Sequence, residues 1–311
     1  MTKIKDLKEK ERLTQLFLIK SCTQGVTSKG APYLNLIVQD NTGTIDGKLW
    51  DAKPDDIKNA QAGKVVELGF EVLLYNRALQ LRVHTLNTVE QDTVDMSEFI
   101  LSGAYTEKEL REKLNALIGS IVNQNLRALV NGMFKRVDDR FYSYPAASRI
   151  HHSYLGGLAE HTLGMAQTAE AICELYPQLN RDILLSGVLV HDMGKTVELG
   201  GLISSEYTEE GKLIGHISIC HGWLMEVADE LGIGSSEEAI VLRHMILSHH
   251  GKQEFGSPIL PATQEAEVLN LIDNLDARMN TLNQVLSGMQ KGTWSQKVFA
   301  LENRQFYKTK L

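Results

Sequence analysis

The stretch VLVHDMGK, residues 188–195, decides how the larger part of this chain is read. Apolar residues at the end of a helical run lead straight into His191, Asp192 and Lys195. An imidazole, a carboxylate and an ammonium at the end of a buried helix each cost desolvation free energy unless a partner compensates it. A salt bridge, a metal or a phosphate would do so, and the other histidines choose among them. Nine of the ten histidines lie beyond residue 90. His161 in LAEHTLG, the His191–Asp192 pair, His216 in LIGHISI, His249 in LSHHGK and Asp273 in LIDNLDA each follow apolar residues. One such histidine is ordinary packing. Six donor positions on successive helices fit a bound metal, for which neutral imidazole and carboxylate are ordinary ligands and no thiolate is needed.

The expected arrangement has two divalent ions. One would take His161, His191, Asp192 and Asp273, and the other His216 and His249, with Asp192 bridging. Such a pair can hold an attacking water and the phosphoryl oxygens around one phosphorus. Lys195, one turn past His191, is placed to offer its ammonium to a phosphate; its alternative is a cation at a helix C-terminus. His250 is expected to line the site or to be a further ligand, and His152, ahead of the first ligand helix, to approach the phosphate. Asp276 is expected to orient a ligand histidine. His221 and His244 each stand five residues from His216 and His249, about 140° round a helix, and are expected off the site.

Outward from this centre, the period stays helical from TEKELREKLNALIGSI to about residue 290. Thr106 with Glu109 three residues later is a capping-box signature. Before it, from about Leu13 to Val89, the chain reads as strands. PYLNLIVQD (32–40) alternates, NTGT turns, and IDGKLWD resumes. PDDIKNAQAGK (54–64) reads as a short helix, followed by strands in VVELGFEVLLYN (65–76) and RALQLRVHTLNTV (77–89). Three strands, a helix and two strands is the order of a five-stranded OB barrel. The expected fold is therefore multidomain β + α. It comprises an OB-like barrel over 1–90, a helical linker over 91–145, and an all-α domain over 146–311.

Alternation sends Leu34, Leu36, Val38, Leu49, Leu79, Leu81 and Val83 inward, with Phe70 also in the core. Tyr33, Lys48, Trp50 and Arg82 then face out, with His84 on the surface. Exposed aromatics among cations suit single-stranded nucleic acid; the same surface would also suit a protein contact.

The 311 residues carry a net charge of −7, which argues against a generic polyanion-binding surface. The charge is uneven: residues 1–90 hold 13 basic and 11 acidic side chains, and the remainder 19 and 28. A nucleic-acid contact is expected to be local and N-terminal. No run of 18 apolar residues is present, and MTKIKDLKEKERL has no apolar signal core. Cys22, Cys173 and Cys220 form no CxxC pair. A reduced, cytoplasmic protein without membrane association is expected.

His161, His191–Asp192 and Asp273 resemble the H…HD…D signature of the HD superfamily of metal-dependent phosphohydrolases, and His216 with His249–His250 resembles its binuclear branch. With the N-terminal barrel, the whole chain is similar to the YhaM-type 3′→5′ exoribonucleases of Gram-positive bacteria. GGLAEHTL (156–163), SGVLVHDMGK (186–195), GHISI (215–219), HHGKQEFGSPILP (249–261), IDNLDARM (272–279) and ENRQFY (302–307) carry the likeness. The resemblance implies a manganese-dependent enzyme releasing 5′-nucleotides from the 3′ end of single-stranded RNA, with ssDNA a further substrate to consider. Metal-activated water would attack the terminal phosphodiester. Asp192 would help fix the metals, and Lys195 would offset charge on the transition state. Iron, nickel or cobalt would suit the ligands as well as manganese, and a homo-oligomer is left open. Two alternatives stand beside this. One is an HD phosphohydrolase of small nucleotides (cyclic dinucleotide, dNTP or alarmone). The other is a non-catalytic nucleic-acid adaptor.

Overall fold

The computed structural model describes residues 1–28, 30–75, 78–100, 103–146, 154–200, 207–287 and 289–311, apart from the side chain at 97. The N-terminal part forms five strands: β1 (Arg12–Val26), β2 (Pro32–Asp40), β3 (Gly43–Trp50), β4 (Val65–Tyr75) and β5 (Ala78–Thr88). They close as β1-β2-β3-β5-β4, with β3 and β5 parallel and the other pairs antiparallel. That is the OB barrel expected from the order of elements. β1 serves two neighbours. Arg12–Leu18 pairs with β4 and Leu18–Val26 with β2, and the register shifts between Ile19 and Ser21 where the strand turns the corner.

The strand alternation becomes the barrel core. Leu34, Leu36, Val38, Leu49, Leu81 and Val83 are buried, and Leu79 packs against them partly covered. Phe17 and Phe70 meet inside at 5.6 Å between ring centroids. The β2–β3 turn is held by Asp40, whose buried carboxylate accepts from the backbone N–H of Ile4, Thr42 and Gly43. The expected short helix is α1 (Pro54–Asn59), with Pro54 at its start. Ala52, Ile57 and Ala60, in and beside α1, pack against the barrel core.

The remainder is helical: α2 (Glu107–Gly119), α3 (Gln124–Val137), α4 (Arg140–Ser143), α5 (Gly157–Leu175), α6 (Arg181–Val190), α7 (Lys195–Glu198), α8 (Glu209–Ile214), α9 (His216–Glu230), α10 (Glu237–Ser248) and α11 (Gln264–Ser287). The capping box of α2 is formed: Thr106 Oγ1 accepts from Glu109 N, and Glu109 Oε2 accepts from Thr106 N at 2.8 Å. α6 is buried from Leu184 to Val190 and packs against α3, α5, α10 and α11. This burial explains the apolar run before His191.

Within the linker expected over 91–145, the helices α2 and α3 share the core of the helical unit, whereas Phe99 packs with the barrel. Phe99 is buried with Leu18 and Val65 of the barrel, and Gln39 Nε2 donates to its carbonyl at 2.9 Å. The helical unit begins at Gly103. Leu110, Leu114 and Ile118 of α2 and Leu126, Leu129, Val130 and Met133 of α3 are buried in the same core as α5 and α6. An apolar stripe of that size has to be covered, and the helices that carry it join the body that covers it.

Candidate active site

Five helices bring the expected donors to one place. His161 sits on the second turn of α5, His191 caps the C-terminus of α6 and Asp192 follows it, His216 opens α9, His249 caps α10, and Asp273 lies on α11. His161, His191, Asp192 and His249 are at most 2% exposed.

Asp192 is the centre. Its Oδ2 lies 3.3 Å from His191 Nε2 and 3.7 Å from His161 Nε2, and its Oδ1 lies 3.5 Å from His216 Nε2 and 3.6 Å from His249 Nε2. One carboxylate thus faces a donor set with each oxygen. The donor atoms of His161, His191 and Asp192 fall within 4.8 Å of one another, and so do those of Asp192, His216, His249 and His250. Asp273 joins the first set through His161, its Oδ1 standing 3.3 Å from the ring's Nε2.

The rings are turned the same way for a visible reason. Every Nδ1 is engaged: His161 with Asp276 Oδ2 at 2.6 Å, His191 with Val188 O at 2.9 Å, and His216 with Glu198 Oε1 at 2.9 Å. His249 meets Ile246 O at 2.7 Å and His250 meets Phe255 O at 2.7 Å. A carbonyl accepts only, so in His191, His249 and His250 Nδ1 carries the proton and Nε2 is left as a lone-pair donor. His191 Nε2, His216 Nε2, His249 Nε2 and Asp192 Oδ1 are buried with no hydrogen-bond partner among the described residues. Buried polar atoms rarely stay unpaired. Oriented imidazoles whose second nitrogen is held by a carboxylate or carbonyl are what a metal site requires. The residues present fit a divalent metal.

The electrostatics differ from ring to ring, and at His161 a metal would have to displace the proton that Asp273 and Asp276 hold on the ring. Burial opposes ionisation of Asp192, yet the Lys195 ammonium and the His191 ring hold its carboxyl well below the usual range. Burial likewise opposes ionisation of Asp273, and His161 outweighs it, keeping that carboxyl low. Burial would lower His161, but Asp273 and Asp276 raise it to about 9. His250 is pushed down to about 4 by burial and by His249 beside it, which leaves it neutral.

Lys195 is at the expected position, with its ammonium engaged by Asp192 Oδ2 at 2.6 Å. Asp276 Oδ2 stands 2.6 Å from His161 Nδ1, the contact that an orienting role would need. His221 accepts from Arg243 Nε at 3.1 Å and His244 accepts from Ala262 N at 2.9 Å, both in structural contacts. His152 lies outside the described residues.

Glu198 was not among the residues singled out from sequence. It is buried at the end of α7, and its Oε1 accepts from both His216 N at 3.0 Å and His216 Nδ1. Its signal is faint: one carboxylate in TVEL, a turn after Lys195. Gly194 lets α9 approach, since a Cβ there would stand 2.2 Å from the His216 carbonyl oxygen.

On the barrel, Tyr33, Lys48, Trp50 and Arg82 do come together. Tyr33 pairs with Trp50 across β2 and β3, and Lys48 pairs with Arg82 across β3 and β5. The Tyr33 and Trp50 rings lie 5.0 Å apart, with Lys48 Nζ 5.5 Å from the first centroid and 5.1 Å from the second. Trp50 is 44% exposed, so this pair is a surface feature.

The HD domain family matches residues 158–278, a span that contains all six expected donors. The helical unit therefore carries an HD domain. The 3′-5′ exoribonuclease YhaM of Geobacillus sp. (strain WCH70) is 42% identical over 299 residues, covering 96% of this chain and 92% of that protein. The chain belongs to the YhaM family of HD-domain proteins. Among solved structures, the second OB-fold domain of replication protein A from Methanococcus maripaludis matches 28% of this chain and 93% of its own, at 20% identity and a TM-score of 0.24. That likeness is too slight to carry weight, and the OB assignment rests on strand order.

Proposed function

We propose that this chain is a metal-dependent 3′→5′ exoribonuclease that hydrolyses the terminal phosphodiester of single-stranded RNA and releases 5′-nucleotides. The observation that carries this reading is the buried donor set around Asp192, intact in a chain that matches an exoribonuclease along nearly its whole length. Two ions are favoured because each oxygen of Asp192 faces its own set of imidazoles. His161, His191, Asp192 and Asp273 would hold one, and His216, His249 and Asp192 the other, with His250 within reach of the second. Bound divalent ions would activate water and neutralise charge on the phosphoryl oxygens. Manganese is the proposed metal; nitrogen and oxygen donors without thiolate suit it.

The chain's own side chains supply orientation and charge. Asp276, Glu198 and the Val188 and Ile246 carbonyls lock the rings so that no reorganisation is needed during reaction. Lys195 is 12% exposed at the edge of Asp192. Its ammonium would exchange Asp192 for a phosphoryl oxygen and offset the charge that develops there. Tyr33, Lys48, Trp50 and Arg82 would track the strand by stacking and phosphate contact, a role with no use for a small nucleotide. The barrel would bind and the helical unit would cut. No helix among the described residues is long and apolar enough to cross a membrane. A cytoplasmic site of action follows from the proposed RNA substrate and the free thiols of Cys22, Cys173 and Cys220.

The test uses metal-stripped protein reloaded with manganese and RNA labelled at its 5′ end, with the 3′ end free or blocked. A ladder shortening from the free 3′ end, absent without metal and in Asp192→Ala, is the expected result. Two bound ions with no cleavage of RNA would overturn the reading in favour of a small-nucleotide phosphohydrolase.

A further inference from the structure

The C-terminal segment has no part in the site described so far. It is nonetheless firmly built. Trp294 bridges Tyr307 and Val298 bridges Arg304, so the chain doubles back as a narrow hairpin. Gly292 N donates to Lys308 O at 2.7 Å and Ser295 N to Phe306 O at 2.8 Å. Leu301 at the bend is 1% exposed. Lys308 Nζ donates to the carbonyls of Leu286 and Met289 at 2.6 and 2.8 Å, closing the C-terminus of α11. Arg278, five residues after Asp273 on α11, grips Glu302 with two hydrogen bonds of 2.7 and 3.1 Å. The hairpin is thus tied to a helix that carries a proposed metal ligand.

Its outer side has a different character. Trp294 is 65% exposed, Phe299 84% and Tyr307 41%. Folding alone does not call for a tryptophan so exposed on an anchored strand. Residues 289–311 hold five basic side chains and one acidic, in a chain of net charge −7. The acidic one, Glu302, is already paired with Arg278 and Arg304. Lys297 and Lys310 are exposed. Lysine is depleted at the centres of protein–protein interfaces, whereas aromatics interleaved with lysine are the composition of a single-strand platform. The barrel carries a comparable aromatic pair, there with Lys48 over both rings. Tyr33 and Trp50 face each other across two strands at 5.0 Å, and Trp294 and Tyr307 do so at 5.4 Å.

We infer that the C-terminal hairpin is a second contact surface for single-stranded RNA, with bases stacking on Trp294 and Tyr307 and phosphates meeting Lys297 and Lys310. The identity of the polyanion rests on the exoribonuclease reading; the surface itself rests on the exposed aromatic pair and the local positive charge.

The test is the affinity of the full chain for a 5′-fluorescein uridine oligomer with a blocked 3′ end, read by anisotropy in EDTA so that nothing is cut. Trp294→Ala/Tyr307→Ala should bind about tenfold more weakly or worse, as expected for losing a stacking platform. Trp294→Phe/Tyr307→Phe should recover most of that loss. Lys297→Glu/Lys310→Glu, at exposed positions that leave the fold intact, should flatten the slope of log K against log salt by about 1.4, at ~0.7 per phosphate contact. Affinity within twofold of wild type in both the aromatic-to-alanine and the charge-reversed variants would overturn the inference. So would a change of mass by light scattering with RNA affinity unchanged, which would make the face an interface between copies. Manganese added to wild type on an unblocked oligomer checks hydrolysis separately. Binding without shortening would sink the exonuclease reading and leave the hairpin surface standing.

Discussion

Glu198→Ala should weaken one donor set and spare the other. One carboxylate oxygen holds both the backbone N–H of His216, at 3.0 Å, and its Nδ1, at 2.9 Å. Burial opposes the charge of Glu198, but His216 more than compensates and keeps the carboxyl below its ordinary range. Alanine leaves the ring free to turn and the first N–H of α9 without its acceptor. Loss of such an orienting partner costs about 10–100-fold in metal affinity, or roughly 1.4–2.8 kcal/mol at 1.4 kcal/mol per tenfold. His161 and His191 keep their own Nδ1 partners, Asp276 and Val188 O, and should be untouched. The assay is a calorimetric titration of stripped protein with manganese. Wild type should take up metal in two steps, and the variant should lose affinity in one of them. Glu198→Gln keeps an acceptor oxygen and should lose less than alanine does. Equal loss in both steps, or wild-type titration in Glu198→Ala, would refute the assignment of Glu198 to His216 alone.

Gly194→Ala places a methyl against the backbone of His216, which cannot rotate away as a side chain would. An overpacking cost of about 1–3 kcal/mol is expected, lowering Tm by ~2–4 °C for each kcal/mol in a domain of this size, as a thermal melt would read. Trp50→Ala should remove about 1–3 kcal/mol of RNA affinity with little change in Tm, and an unchanged Kd would sink the barrel's proposed role. The capping box supplies a pH test. Glu109 sits below its ordinary 4.5 because Thr106 donates to it from backbone and hydroxyl. A depressed carboxyl stabilises the fold above its unfolded value, and that contribution disappears as pH falls through the lower folded value. Glu109→Gln should therefore differ from wild type in chemical denaturation at neutral pH and converge with it in acid below 4.5.

The periodic features were the legible ones. Alternation in PYLNLIVQD and LQLRVH sorted inward from outward side chains, and Tyr33, Lys48, Trp50 and Arg82 duly share a surface. The donors were legible for a related reason: a histidine after an apolar run contradicts its surroundings, and His161, His191, His216 and His249 all converge on Asp192. Glu198 escaped because a carboxylate in a four-residue helix looks like any solvated charge until its partner, 18 positions away, folds over it. The Lys195–Asp192 pair was hidden in the same way, since spacing put both at the site without saying that they meet. The boundary near residue 103 was illegible because the stripe on α2 and α3 states that something covers it, not what.

Among the described residues, Nε2 of His191, His216 and His249 has no hydrogen-bond partner, a local frustration that a bound ligand would relieve. Each buried acceptor without a partner carries a penalty of about 1–3 kcal/mol, a sizeable share of the stability of an ordinary domain. An unconstrained search for stability would therefore erase this site first: exchanging His249 for leucine would relieve a strain that the fold bears only because its ligand relieves it. Thermal robustness and catalytic competence pull in opposite directions at these positions, so variants chosen for heat resistance alone should accumulate there while the barrel and the helical core stay as they are.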